Sequence, residues 1–321
     1  MILWLAAIAA AIALSGYVLA SHSRAYVRRT VARFAPTGRF IDADGVRLHV
    51  REAGPQGAPR MLLIHGASSN LLELWGPLAD EFSPLHHVIA YDRPGMGHSE
   101  RARRDAHTMA SQAKAAARVL EQTGDGPAII VAHSLGAGVA LRLALDHPRL
   151  VSGLVLVAPA CNPYPWKPAW WARLSTKPII GELFCNLIIP WLGPPMIPQS
   201  VANNFWPAPV PVNYLEQAGV PLIFCPRAFR ASAFDVVASN VEFGAQQPRY
   251  GELFTPAVIL TAEKDKIVSP KRHARALAVD MPAAELVIAP ETGHMPHRLR
   301  TDLVIAAIRR VNEMTSTRTT D

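Results

Sequence analysis

The sequence predicts an α/β fold, with a mostly parallel central sheet, helices on both faces and a helical insertion after the sixth strand. Three observations predict it. From Leu62 onward, short and almost purely apolar runs alternate with helical stretches, the pattern of parallel strands covered on both sides. The apolar run from Pro127 to Val131 leads into Ala132-His133-Ser134-Leu135-Gly136, a small-x-Ser-x-Gly string that marks a tight strand-to-helix turn. Between Asn162 and about Arg249 the alternation stops, and prolines and large apolar side chains, among them five of the seven tryptophans, fill short pieces.

Taken in order, Met1 to Ser23 carries no Asp, Glu, Lys or Arg and is about as long as the ~20 residues that cross a bilayer. It reads as a membrane helix. Arg24, Arg28, Arg29, Arg33 and Arg39 follow, and this excess of positive charge predicts an anchored chain whose remainder faces the cytoplasm. The rival reading is an export signal cleaved near Val18-x-Ala20, against which stands the lack of a positive residue before the apolar stretch. Arg39 to Ala43 and Val46 to Glu52 alternate around Asp44-Gly45, a hairpin signal. Arg60–Ile64, Pro127–Val131 and Ala257–Leu260 read as apolar strands, Glu285–Ala289 as a further short strand, and Thr108–Gln122, Leu135–Asp146, Lys271–Val279 and Asp302–Met314 as helices. The implied organisation is a membrane segment at 1–23, a basic linker at 24–38, a first core part at 39–161, an insertion at 162–249, a second core part at 250–315 and a polar tail at 316–321.

Composition fits one globular domain with an appendage: of 321 residues, 50% are hydrophobic and 18% charged, enough to bury a large core. The formal charge of +7 comes from scattered arginines, several just after the apolar terminus, without any nucleic-acid motif. A membrane surface is therefore the expected electrostatic partner and nucleic acid is not. Cys161, Cys185 and Cys225 are an odd, unspaced set read as packing residues. No metal-ligand spacing and no phosphate loop occurs, so neither a metal nor a cofactor is expected.

Ser134, with small residues two positions either side, is placed as a nucleophile would be. Arg60–Ile64 runs into His65-Gly66-Ala67-Ser68-Ser69-Asn70, read as a small, flexible loop with unobstructed backbone amides. Such amides suit an oxyanion, and the N–H groups of Ala67 and Leu135 are the candidates. Asp265 lies past the strand ending at Leu260, with Glu263 as a competitor; His294 follows Gly293 in a loop, with His297 as its competitor. Asp92, in Asp92-Arg93-Pro94-Gly95-Met96-Gly97-His98-Ser99, is read as stabilising a rigid turn. His86, His87, His107 and His147 are read as surface or loop residues.

His65-Gly66, the Asp92–Ser99 stretch, the serine turn, and the Asp265 and His294 loops occur together in this order, and the sequence thereby resembles the α/β-hydrolase superfamily over roughly residues 40 to 313. The resemblance implies a catalytic triad of Ser134, Asp265 and His294, Asp265 being preferred over Glu263 by its family position. His294 would act as base and then acid, with Asp265 fixing its tautomer. The alternative acid position, after the strand that follows the elbow helix, holds Ala158-Pro159-Ala160-Cys161-Asn162 and no carboxylate. The resemblance also implies that the insertion at 162–249 is a helical cap over the serine, with His65, Gly66, His133, Trp166 and Trp170 as candidate pocket residues. The expected activity is hydrolysis of a lipophilic carboxylic ester near a membrane; C–C bond hydrolysis, acyl transfer and ligand binding without turnover are the alternatives.

Overall fold

The computed structural model describes residues 1–101 and 105–318. Its strands are β1 (Arg39–Asp42), β2 (Arg47–Ala53), β3 (Arg60–Ile64), β4 (His87–Tyr91), β5 (Ala128–His133), β6 (Val151–Val157), β7 (Ala257–Ala262) and β8 (Ala284–Ala289). The helices before β6 are α1 (Ile2–Arg33), which stands outside the core, and α2 (Leu72–Phe82), α3 (Met109–Gln122) and α4 (Leu135–Asp146), which cover the sheet. Between β6 and β7 come α5 (Trp170–Ser175), α6 (Ile180–Leu183), α7 (Ile189–Leu192), α8 (Ile197–Phe205), α9 (Tyr214–Gln217) and α10 (Pro226–Gln246). After β7 follow α11 (Ala274–Asp280), α12 (Pro296–Leu299) and α13 (Thr301–Arg318).

The sheet has the order β1-β2-β4-β3-β5-β6-β7-β8. The β1–β2 and β2–β4 pairs are antiparallel, and every later pair is parallel. Side chains alternate between two apolar layers. Leu62, Ile64, Ile130, Ala132 and Leu154 pack against α3, α4 and α11, whereas Met61, Leu63, Ile129, Val131 and Val155 pack against α2 and α13. Because both faces are covered there, the central strands β3 to β7 are largely apolar rather than alternating and are readable as unbroken runs, whereas β1, β2 and β8 keep polar and exposed positions. The chain leaves β3 toward β4 on one side and returns to β5 on the other, so the crevice at the carboxyl ends of β3 and β5 is the switch point where open α/β sheets place their sites.

Some boundaries differ from expectation. The N-terminal helix does not stop at Ser23: α1 runs unbroken through the first ten residues of the expected basic linker, to Arg33. It is the one described helix that by itself is long and apolar enough to cross a membrane, with mean hydropathy 2.2 over its apolar window. Its last turns rest on the insertion, where His22 Nε2 donates to Pro190 O at 3.2 Å and the Tyr26 hydroxyl donates to Pro221 O at 2.8 Å. At the other end α13 continues to Arg318, so the expected tail at 316–321 begins inside a helix and, from 319, lies outside the described residues. His87, expected at the surface, is buried in β4 and bonded to Glu52 at 3.0 Å.

Candidate active site

Ser134 stands between β5 and α4 with φ 53° and ψ −122°, a backbone conformation that a non-glycine residue keeps only when its surroundings enforce it. The enforcement is visible. Its N–H donates to Val157 O at 2.9 Å, and its carbonyl accepts from Ala137 and Ala160 N–H groups, each at 3.0 Å. Gly136 lets the helix start against β3: a Cβ there would lie 2.5 Å from Ile64 O and 2.6 Å from His65 O. Gly66 also lies close to the serine, and a Cβ there would be 3.0 Å from Ser134 Cβ.

His294 comes in from the loop after β8. Its Nδ1 faces Asp265 Oδ2 at 2.7 Å and its Nε2 faces Ser134 Oγ at 3.0 Å. A carboxylate can only accept, so Nδ1 carries the proton and the lone pair of Nε2 is turned to the serine hydroxyl. Asp265 Oδ1 accepts from Ile267 and Val268 N–H at 2.8 and 2.9 Å, which leaves Oδ2 for the imidazole. The backbone of His294 is held at both ends, its N–H by Asn204 O at 3.0 Å and its carbonyl by His133 Nε2 at 3.0 Å. Of the competitors, Glu263 is occupied with the Glu291 N–H at 3.2 Å, and His297 is bonded to Glu73 at 2.9 Å.

The His65–Asn70 loop, expected to be flexible, is instead pinned. Asn70 Nδ2 donates to Ala218 O at 2.8 Å, and Ser68, at φ 45°, is bonded through its N–H and its hydroxyl to Ser232. The N–H groups of Ala67 and Leu135 donate to no acceptor among the described residues. His65 was expected on a pocket wall, but its ring is buried in the loop's own structure: Nδ1 donates to Gly66 O at 2.9 Å and Nε2 accepts the Arg93 N–H at 3.0 Å. Burial, with Arg93 nearby, pushes this imidazole down to about 3. His133 is likewise no pocket residue. It packs between the rings of His294 and His297, at centroid distances of 4.9 and 4.3 Å, and burial beside those two rings holds it well below its ordinary range. Trp166 and Trp170, 55% and 64% exposed, pack on Tyr164 and Phe184 as surface residues of the insertion.

Asp92 takes the part expected of it in the turn, accepting from Leu71 N–H at 2.8 Å, His98 N–H at 2.9 Å and His49 at 2.8 Å. Sequence reasoning missed the buried polar groups that support the site. His273 Nδ1 accepts from the Cys161 and Asn162 N–H groups at 3.2 and 3.1 Å and so holds the loop after β6. Glu73 bonds Tyr214, His297 and Arg298 at 2.8, 2.9 and 3.0 Å; against the upward pull of its burial, these partners bring its carboxyl down to about 2. The one available signal was chemical. Carboxylates such as Glu73 and Asp235, each flanked by apolar neighbours in its helix, must be paired if they are buried.

An eight-stranded sheet with a strained serine after β5 and a histidine bridging it to an aspartate after β7 defines an α/β-hydrolase architecture. The chain belongs to the alpha/beta hydrolase family, whose match spans residues 61–307. Among its relatives, it is 39% identical over 125 residues to the dihydrolipoyllysine-residue acetyltransferase component of the acetoin cleaving system of Cupriavidus necator, a match covering 38% of this chain and 32% of that one. It is 38% identical over 115 residues to lipase LipV of Mycobacterium tuberculosis, covering 36% of this chain and 42% of the lipase. These two matches therefore span less than half of either relative. A crystal structure of a bacterial membrane phospholipase A superposes with a TM-score of 0.65 at 20% identity, covering 98% of this chain and 97% of that one, and shows a shared fold.

Proposed function

We propose that this protein is a serine hydrolase that cleaves a lipophilic carboxylic ester through an acyl-enzyme, with Ser134 as nucleophile, His294 as base and acid, and Asp265 as the group that orients His294. The observation that carries the reading is the single imidazole bonded at one nitrogen to Asp265 and at the other to Ser134 Oγ. Ser134 Oγ attacks the ester carbonyl carbon as its proton passes to His294 Nε2, and the oxyanion that forms is met by the Ala67 and Leu135 N–H groups. Collapse breaks the bond to the alcohol, which leaves with the proton from His294. Water then adds to the acyl-enzyme with its proton going to His294; the acid departs and Ser134 recovers its hydrogen. Asp265 stabilises the imidazolium formed in each half.

The preference for a lipophilic substrate rests on the neighbourhood of α1. The His22 ring packs at a tilt on Trp191, with centroids 4.3 Å apart, which ties the end of the apolar stretch to α7. Ile180, Leu183 and Leu192, on the same part of the insertion, are each more than half exposed. With α1 as a membrane anchor, these side chains would stand at the bilayer boundary, where apolar surface is stabilised rather than penalised. The match to a lipase and the shared fold with a membrane phospholipase agree with this choice. The test is labelling by a fluorophosphonate probe followed by a chain-length series of nitrophenyl esters. Labelling should vanish in Ser134→Ala and His294→Ala, and turnover should rise with acyl length. Labelling that survives Ser134→Ala removes the nucleophile, and equal turnover of short and long esters removes the lipophilic preference.

A further inference from the structure

We infer that Arg93, held by Asp235 of the cap helix α10, orients and polarises the peptide group that forms the oxyanion hole, so that the cap sets the position of the catalytic hydrogen-bond donor. The inference rests on the reading of Ala67 N–H as an oxyanion donor.

Arg93 is fully buried, and its guanidinium bonds the backbone of His65 and Gly66, Asp235 of the cap helix and Gln112 of α3. Its Nε donates to His65 O at 3.0 Å and its Nη2 donates to Gly66 O at 2.9 Å. The Gly66 carbonyl and the Ala67 N–H are the two ends of one planar trans peptide, so gripping the oxygen at one end fixes the direction of the N–H at the other. His65 Nδ1 donates to that same oxygen, leaving the peptide little freedom to rotate. A positive charge on the carbonyl also strengthens the amide dipole and makes the opposite N–H a better donor.

The guanidinium needs a counter-charge in so dry a place, and the cap supplies it. Asp235 Oδ2 accepts from Arg93 Nη1 at 2.8 Å, a nitrogen that also bonds Gln112, and Asp235 Oδ1 accepts from Arg101 at 2.8 Å. One turn earlier on the same buried face of α10, Ser232 accepts the Ser68 N–H at 2.9 Å and shares a 2.8 Å bond with the Ser68 hydroxyl. Ser68 has φ 45°, and α10 is thus what stabilises this unfavourable backbone directly after the donor residue. Ser232 and Asp235 hold the loop from two sides of Ala67. They are positioning residues, with no contact to the reacting atoms required of them.

Arg93→Lys and Ser232→Ala test this in the full chain, with two readouts. One is steady-state hydrolysis of a nitrophenyl ester. The other is the inhibition constant of an aryl trifluoromethyl ketone, whose carbonyl carbon accepts Ser134 Oγ and whose oxygen then occupies the oxyanion hole. Lysine keeps the charge facing Asp235 but cannot fork across two carbonyls. The expected result is a loss in kcat of about tenfold for Ser232→Ala and on the order of a hundredfold for Arg93→Lys, with KM held within about twofold and the ketone weakened in parallel. Ser239→Ala lies on the same helix, with its hydroxyl bonded to Val236 O. It should keep kcat and inhibitor affinity even where its melting temperature falls. Ser232→Ala folds with the least disturbance, and wild-type kcat and ketone affinity in it overturn the inference, as does a loss confined to KM. Ser134→Ala separates the two claims: full hydrolysis by that variant refutes the hydrolase reading and this inference with it, whereas an inert Ser134→Ala beside an unaffected Ser232→Ala refutes the positioning role alone.

Discussion

Replacing Asp265 with asparagine should disable the site without disturbing its shape, and the structure says why. The carboxylate uses its two oxygens differently, Oδ1 for the N–H groups of Ile267 and Val268 and Oδ2 for His294 Nδ1. An asparagine must put its carbonyl oxygen where two N–H donors already point, because its NH₂ cannot accept them. The NH₂ then faces His294 Nδ1 and can only donate, which forces the ring into the other tautomer. His294 Nε2 now carries the hydrogen, and the atom 3.0 Å from Ser134 Oγ has no lone pair with which to take a proton. Electrostatic stabilisation of the imidazolium is lost as well. By analogy with the same exchange in other serine triads, kcat should fall about 10⁴-fold, roughly 5.5 kcal/mol of barrier. The assay is nitrophenyl ester hydrolysis at pH 7, with thermal unfolding as the check that the fold is intact. An Asp265→Asn variant that keeps more than a tenth of wild-type kcat refutes the argument from tautomers.

Other expectations follow from the same geometry. Gly136→Ala introduces a Cβ within 2.6 Å of two backbone oxygens, so α4 must shift; a loss of about 1–3 kcal/mol in stability and slowed fluorophosphonate labelling are expected, read by denaturant unfolding and by labelling rate. Glu73 has its carboxyl lowered from 4.5 to about 2 in the fold, so its contribution, a few kcal/mol, is complete above about pH 4.5 and is lost as pH falls toward 2. Glu73→Gln should therefore lower stability at pH 7 and flatten the acid limb of a stability profile; an unchanged limb between pH 5 and pH 3 would count against the assignment. Leu183→Asp combined with Leu192→Asp should reduce hydrolysis of esters presented in vesicles severalfold while leaving short soluble esters within about twofold; equal effects on both would show that these side chains do not face lipid.

The buried strands were legible because a sheet covered on both faces needs apolar residues at every position, as in Met61-Leu62-Leu63-Ile64, and no partner has to be known to see it. The serine turn was legible for a similar local reason: strand, turn and helix are contiguous, and the small residues Ala132 and Gly136 stand two positions either side of Ser134. Position in the chain, at the end of a strand for His133 or in a loop for His65, does not tell which way a ring turns, so neither histidine's orientation is legible in the sequence. Their directions are set by Gly66 O and Arg93 N–H in one case and by His294 O in the other.

Short-range chemistry along the chain thus determined the sheet, the elbow, the apolar terminal helix and the order of the three polar residues. Tertiary structure alone decided which carboxylate reaches His294, which histidines are braces, and that Arg93 and Asp235, 142 residues apart, form one buried pair beneath the His65–Asn70 loop. The physical reason is range. Hydrophobic patterning and backbone sterics act over a few neighbouring residues and leave their mark in the sequence, whereas a buried charge is stabilised by whichever partner the folded chain brings within about 3 Å of it.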